Sequence, residues 1–294
     1  VIKEKAIVFG ITGQDGYYLS ELLKNKAIEV IGVSRSSGDC KGDISEYAFV
    51  EALIKKNKPQ YIFHLAAKST TKHDALFENH QTICTGTLNV LESVKLHCES
   101  AKIFLSGSAM QFKNDGEPIN EKSSFDGSSP YSVSRIQSIY AGRYYRNKFG
   151  LKVYVGYFFN HDSPLRSEQH VNQKIIMAAK KIAAGGKDKL EIGNVEVKKE
   201  FNFAGDVVEA IWILVNQNQV NEVIIGSGKA YSILEWAMYC FGKLNKKLED
   251  FLILNENFKP EYNILVSDPT IIHQLGWQPK IDIYQLADLM LSKK

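Results

Sequence analysis

The chain has 294 residues, 44% of them hydrophobic, with 36 basic side chains against 33 acidic ones for a formal charge of +3. A chain of this length buries about three quarters of its unfolded surface, and its small, interspersed charge excludes nucleic-acid or membrane-surface binding as the main activity. No run approaches the roughly 18 apolar residues of a membrane helix, and Val1-Ile2-Lys3-Glu4-Lys5 leads straight into an apolar segment without room for a signal peptide, so a cytoplasmic protein is expected.

Ala6-Ile7-Val8-Phe9 reads as a first strand and Tyr18-Leu19-Ser20-Glu21-Leu22-Leu23 as a helix, joined by Gly10-Ile11-Thr12-Gly13-Gln14-Asp15-Gly16. Strand, glycine turn and helix in this order suit a dinucleotide. The glycines tolerate φ > 0 and let backbone approach a pyrophosphate, whose charge then sits on free N–H groups at the helix N-terminus. Glu29-Val30-Ile31-Gly32-Val33 follows as the second strand and ends in Ser34-Arg35-Ser36-Ser37. An NAD enzyme usually has an acid there for the ribose 2′-hydroxyl. Arg35 instead suits a 2′-phosphate, with Ser36 donating to it, so NADP is expected over NAD; a solvated loop arginine is the competing reading. Asp43 and Ile44 are candidates for the adenine end.

Phe49–Ile54 carries a helical period, and Tyr61–Ala67 reads as a buried strand with its exit, whose Leu65, Ala66 and Ala67, with Ser69, would line the cofactor trough. Thr87–Val94 is a further helix and Lys102–Ser106 a further strand. This alternation demands right-handed crossovers and a parallel sheet covered on both faces. The expected fold is therefore a Rossmann-type doubly wound α/β domain over residues 1–158, to which some later segments return. Residues 159–294, with helices at Val171–Ala184 and Val207–Asn216 among short strands, read as a smaller α/β substrate-binding lobe. Cys40, Cys84, Cys98 and Cys240 lack metal spacing and read as reduced thiols. No pair of histidines or acids has metal-ligand spacing either.

Gly10–Gly16, Arg35-Ser36-Ser37, Ser129-Pro130-Tyr131-Ser132-Val133-Ser134-Arg135 and above all Phe159-Asn160-His161-Asp162-Ser163-Pro164-Leu165-Arg166 resemble the extended short-chain dehydrogenase/reductases of the NAD-dependent epimerase/dehydratase type. Among these they are most similar to the GDP-mannose 4,6-dehydratases. The likeness continues through Gly193-Asn194-Val195, Asp206–Ala210, Lys259-Pro260-Glu261, Ser267-Asp268-Pro269 and Leu275–Pro279. It implies an NAD(P)-dependent reaction on a nucleotide-diphosphate sugar, GDP-linked in that family, by a homodimer or homotetramer. C4 is oxidised, water leaves across C5 and C6, and the hydride returns to C6. Four groups carry this chemistry in the family: a tyrosine at the C4 hydroxyl, a lysine four residues later, a Ser or Thr hydroxyl at the C4 oxygen, and a glutamate for the C5 proton.

Carried over residue by residue, Tyr131 falls at the tyrosine but Arg135 at the lysine. The family block Ser-Thr-Ser-Glu matches Ser106-Gly107-Ser108-Ala109, so Gly107 stands at the threonine and Ala109 at the glutamate. Arg135 keeps a positive charge beside Tyr131, and Ser106 or Ser108 can supply the hydroxyl after a small backbone shift. Ala109 moves no proton, and a general acid/base group is worth about 10²–10⁴ in rate. Dehydration is therefore the step in question, and Gly107→Thr with Ala109→Glu is expected to raise it.

Candidate substrate contacts are Asn160, His161, Arg166, Lys174, Lys199, Lys259 and Glu261. Lys199 falls where the family has a basic residue at the nucleotide phosphates. His161 either shapes the site or packs as a hydrogen-bonding residue, and His64 reads as a satisfied core histidine. Tyr140, Tyr144 and Tyr145 follow Tyr131 at helical spacing and read as core or interface, with a helix pair as the expected dimer contact. Three activities stay open: a dehydratase with a repaired site; a 4-ketosugar reductase, C4 dehydrogenase or epimerase; and a cofactor-binding protein without turnover.

Overall fold

The computed structural model describes residues 3–255 and 257–292. Six strands of the first half are β1 (Lys5–Phe9), β2 (Glu29–Ser34), β3 (Cys40–Lys41), β4 (Tyr61–His64), β5 (Lys102–Ser108) and β6 (Lys152–Phe158). With the later strand Glu222–Ile225 they form one sheet, in the order Glu222–Ile225, β6, β5, β4, β1, β2, β3. Every pairing in it is parallel. The chain runs from β1 outward to β3, then returns to the other side of β1 at β4. A ligand crevice is expected at that reversal, outside the carboxyl ends of β1 and β4.

Successive residues of β1 serve opposite layers. Ala6 and Val8 pack with Leu19 and Leu23 of the first helix, Gln14–Asn25, and with Val207, Ile211 and Leu214 of the helix Ala204–Val215. Ile7 and Phe9 pack with Val50, Ile54, Val90 and Ile139 on the other face. A strand buried on both faces must be apolar throughout, which is how β1 and β4 read. Truncating Ile7 or Leu19 to alanine would cost about 2–5 kcal/mol.

The first helix begins at Gln14, directly after the turn, rather than at Tyr18. β5 extends two residues past Ser106, because Gly107 and Ser108 still pair with Tyr157 and Phe158 of β6. Neither β6 nor Glu222–Ile225 stands out as a strand in the sequence reading; the second joins the sheet by long-range pairing with β6. Beyond Phe158 the chain thus returns as the helix Ala204–Val215, as Glu222–Ile225 and as the short helix Thr270–Gln274, whose Ile272 packs with Val207 and Val223. Three longer helices, Val171–Ala183, Ile233–Lys243 and Ile283–Ser292, enclose a second core around Trp236 and Phe241. Buried Glu200 ties this lobe together, accepting hydrogen bonds from Asn202, Ser227 and Ser267. No helix among the described residues is long and apolar enough to cross a membrane.

Candidate active site

Gly10 has φ +90°, and a Cβ there would lie 2.8 Å from the Ala66 nitrogen. The turn therefore needs glycine both for its conformation and for its approach to the β4 exit. Gly16 packs beneath, where a Cβ would lie 2.7 Å from Ile11 Cα. Gly13 is the open one: its nearest neighbour would be the Gly10 oxygen at 3.4 Å. It starts the first helix with no side-chain cap, leaving the first N–H groups of the helix available to an anion. The cradle fits a dinucleotide pyrophosphate.

A cleft of about 290 Å³ opens over this turn, lined by Gly10, Thr12, Gly13, Ser34, Arg35, Ser36, Asp43, Ile44, Leu65, Ala66 and Ala67. Asp43 accepts from the Ser45 N–H and hydroxyl, both at 2.9 Å. Gln14, Asp15 and Gly16 lie outside this lining. Gln14 donates to the His161 carbonyl at 3.1 Å and accepts from the Ser163 hydroxyl at 2.9 Å. Asp15 accepts from His161 Nε2 at 3.0 Å, and His161 Nδ1 donates to the Phe159 carbonyl at 2.9 Å. The residues following the glycine turn are thus fastened to the signature loop of the second lobe.

A larger cavity of about 720 Å³ adjoins the first at Leu65 and is lined by Asp15, Ser69, Ser106, Gly107, Ser108, Ala109, Tyr131, Arg135, Asn160, His161, Arg166 and Glu261, among others. Tyr131 and Arg135 enter it from the helix Pro130–Phe149, which opens on a capping box between Ser129 and Ser132 with Pro130 at its first position. One turn apart, they share a helix face, and the Arg135 guanidinium sits 5.2 Å from the Tyr131 ring centre. Arg135 Nη1 donates to the Ser106 carbonyl and, at 2.7 Å, to the Ser106 hydroxyl. That hydroxyl in turn donates to the His64 carbonyl at 2.9 Å. Ser106 has no spare proton for a ligand. Ser108 accepts from the Met110 N–H at 3.2 Å, and among the described residues no acceptor takes its own proton.

The ungapped match puts Gly107 at the hydroxyl position, and the geometry corrects the consequence. Side chains alternate along β5, and a Cβ at Gly107 would meet the Tyr157 ring at 2.5 Å. Tyr157 is buried and does not line the cavity, so a threonine at 107 would enter the core. Ser108 is the cavity-lining residue of this strand end with a free hydroxyl proton. Ala109 also lines the cavity and is buried.

The titrating groups divide sharply. Burial disfavours charge on both Asp15 and His161, yet each charge and the shared hydrogen bond outweigh it, lowering the Asp15 pKa and raising that of His161. His64 is buried, as expected of a core histidine, but among the described residues its ring nitrogens make no well-formed hydrogen bond, only a weaker approach to the Ile83 and Thr82 backbone. Burial, reinforced by the Arg135 charge, pushes its pKa down to about 3, so the ring is neutral. Arg166 lies 3.2 Å from Asp162 and 3.1 Å from His170 Nδ1. Burial, then the Arg166 charge, takes His170 down to about 4. Lys199 is buried above the Phe201 ring at 5.4 Å, and burial lowers its pKa to about 8.

Lys199 and Lys259 lie outside both linings, and so does Lys174, which donates to the Glu191 carbonyl at 2.7 Å. Glu261 accepts from the Thr71 hydroxyl at the cavity. Lys68, in the Ala66–Ser69 run read as trough-lining, lines it too, and so do Glu78, Gln169, His170 and Tyr262, which the sequence reading does not single out. His170 immediately precedes the helix Val171–Ala183, and the 70–78 segment has no periodicity to betray it.

The sequence model for GDP-mannose 4,6 dehydratase matches residues 7–290. GDP-mannose 4,6 dehydratase 1 of Arabidopsis thaliana is 29% identical, over 98% of this chain and 89% of the relative. GDP-mannose 4,6-dehydratase of Vibrio cholerae is 27% identical, over 99% and 94%. Among solved structures, RMD from Pseudomonas aeruginosa complexed with NADPH superposes with a TM-score of 0.87 at 21% identity, covering 99% of this chain and 97% of that one. dTDP-glucose 4,6-dehydratase from Bacillus anthracis in complex with NAD gives 0.86 at 17% identity, covering 98% and 95%.

Proposed function

We propose that this chain, which belongs to the GDP-mannose 4,6 dehydratase family, is a nucleotide-sugar enzyme that performs hydride transfer at C4 of a GDP-linked hexose with NADP and lacks efficient dehydration at C5. The observation that carries this reading is the pairing of Tyr131 and Ser108 in one cavity with Ala109 beside them. The glycine turn with Arg35 and Ser36 would hold the cofactor, and a bound nicotinamide would accept or return the C4 hydride. Tyr131 exchanges the C4 hydroxyl proton, Ser108 hydrogen-bonds the C4 oxygen, and Arg135 keeps a fixed positive charge beside Tyr131. Arg166 and Asn160 line the cavity for the nucleotide-sugar end, and the GDP link is taken from the names of the relatives. Ala109 leaves the C5 proton without the family's acid/base group.

Tyr131→Phe tests the assignment, because it removes one proton carrier and little volume. C4 redox turnover of GDP-mannose with NADP should fall by about 10² or more, while NADP binding measured by calorimetry should be unchanged. Undiminished turnover would exclude the assignment.

The chain is further proposed to act as a homodimer. Leu88 and Leu96 of the helix Gly86–His97 and Val133, Tyr140 and Tyr144 of the helix Pro130–Phe149 are exposed, and these two helices cover the same face of the sheet. Light scattering should give twice the chain mass, and Tyr140→Glu with Tyr144→Glu should reduce it to one.

A further inference from the structure

The end of β2 carries one arginine, and that arginine is already engaged. Arg35 lines the smaller cleft and Glu78 the larger one, and Arg35 Nη2 donates to Glu78 Oε1 at 2.9 Å. The other oxygen, Glu78 Oε2, lies 3.7 Å from Lys68 Nζ. Glu78 therefore binds cations from the segments following β2 and β4, the strands on either side of β1. Its own pKa is lowered, first by the Arg35 hydrogen bond and, against some burial, by the Lys68 charge.

We propose that Glu78 is a specificity-determining residue: it occupies Arg35 as an internal counter-anion, and a cofactor bearing a 2′-phosphate must displace it, whereas one with a bare 2′-hydroxyl need not. This rests on the reading of Arg35 as the 2′-phosphate contact. The carboxylate and the phosphate compete for the same guanidinium donors, so Glu78 reduces the preference for NADP without touching the pyrophosphate cradle. The Arg35 side chain is 63% exposed and that of Glu78 33%, so the competition is modest and a phosphate, with more charge and more acceptor oxygens, prevails.

The test uses the full chain and calorimetric titration with adenosine 2′,5′-bisphosphate and with 5′-AMP, which differ in the 2′-phosphate. Glu78→Gln should tighten the bisphosphate by about three- to fivefold, the scale of an exposed ion pair, and leave 5′-AMP unchanged. Glu78→Ala should repeat the result, with melting curves confirming that both variants fold. In an Arg35→Ala background, which should itself weaken the bisphosphate selectively, Glu78→Gln should have no effect. If Arg35→Ala weakens both probes equally, the NADP reading fails and this proposal with it. If Arg35→Ala is selective but Glu78→Gln leaves the bisphosphate unchanged, weakens it, or acts equally without Arg35, this proposal alone is overturned.

Discussion

Gly107 of β5 and Tyr157 of β6 are register partners in the parallel sheet, and the Tyr157 ring fills the space that a side chain at 107 would need. Tyr157 is not free to yield. Its hydroxyl donates to Glu222, which also takes two hydrogen bonds from Arg143 at 2.9 and 2.7 Å. The strand position that matches a family hydroxyl is thus closed by packing.

Gly107→Thr should therefore destabilise the protein by about 1–3 kcal/mol, the cost of overpacking a core, and should not raise C4 turnover. Urea unfolding and steady-state rates check both. Of the double replacement expected from sequence, Ala109→Glu alone can add a cavity-lining group, so its single variant is the one to assay for dehydration.

Ser106 and Ser108 should separate cleanly on replacement by alanine. Ser108→Ala removes the donor proposed for the C4 oxygen and should lower kcat by about 10²–10³ with little change in NADP affinity. Ser106→Ala removes a hydrogen bond to Arg135 and should cost about 1.5–3 kcal/mol of stability, measured by thermal or urea unfolding. Equal stability losses with equal rates would contradict this division.

The Asp15–His161 pair predicts a pH dependence. Asp15 has a lowered pKa, so its contribution is present above the unfolded value of about 3.9 and is lost as pH falls through the folded one. His161 has a raised pKa, so its contribution is complete below about 6.5 and is lost as pH rises through the folded value. Asp15→Asn should therefore destabilise by about 1.5–3 kcal/mol near pH 6 and by less at pH 9. In the same variant NMR should show the buried His161 ring titrating lower than in the parent. Equal losses at both pH values would contradict the ion pair.

What the sequence made legible was local chemistry. Gly10 and Gly13 sit in one short turn and Gly16 in the first turn of the helix after it, where spacing alone reveals their demands, and Tyr131 and Arg135 share one helix face. The roles of Ser106, Gly107 and Ser108 depend instead on the register of β5 against β6 and on Arg135 reaching back to Ser106. The Arg35–Glu78 contact joins residues 43 positions apart, and no local pattern announces it. Lys174, Lys199 and Lys259 lie outside both cavities although Glu261, two residues from Lys259, lines one, because which side chain of a loop faces a cleft depends on its tertiary path.

The proposed site keeps C4 redox chemistry and loses C5 proton removal. Incubation with GDP-mannose and NADP, read by mass spectrometry in ordinary water and by NMR of the product formed in heavy water, tests this most directly. The product should be lighter by 2 mass units, with no solvent deuterium at C5. Rapid formation of a product lighter by 18, carrying deuterium at C5, would contradict this reading and require a carboxylate other than one at position 109 to move that proton.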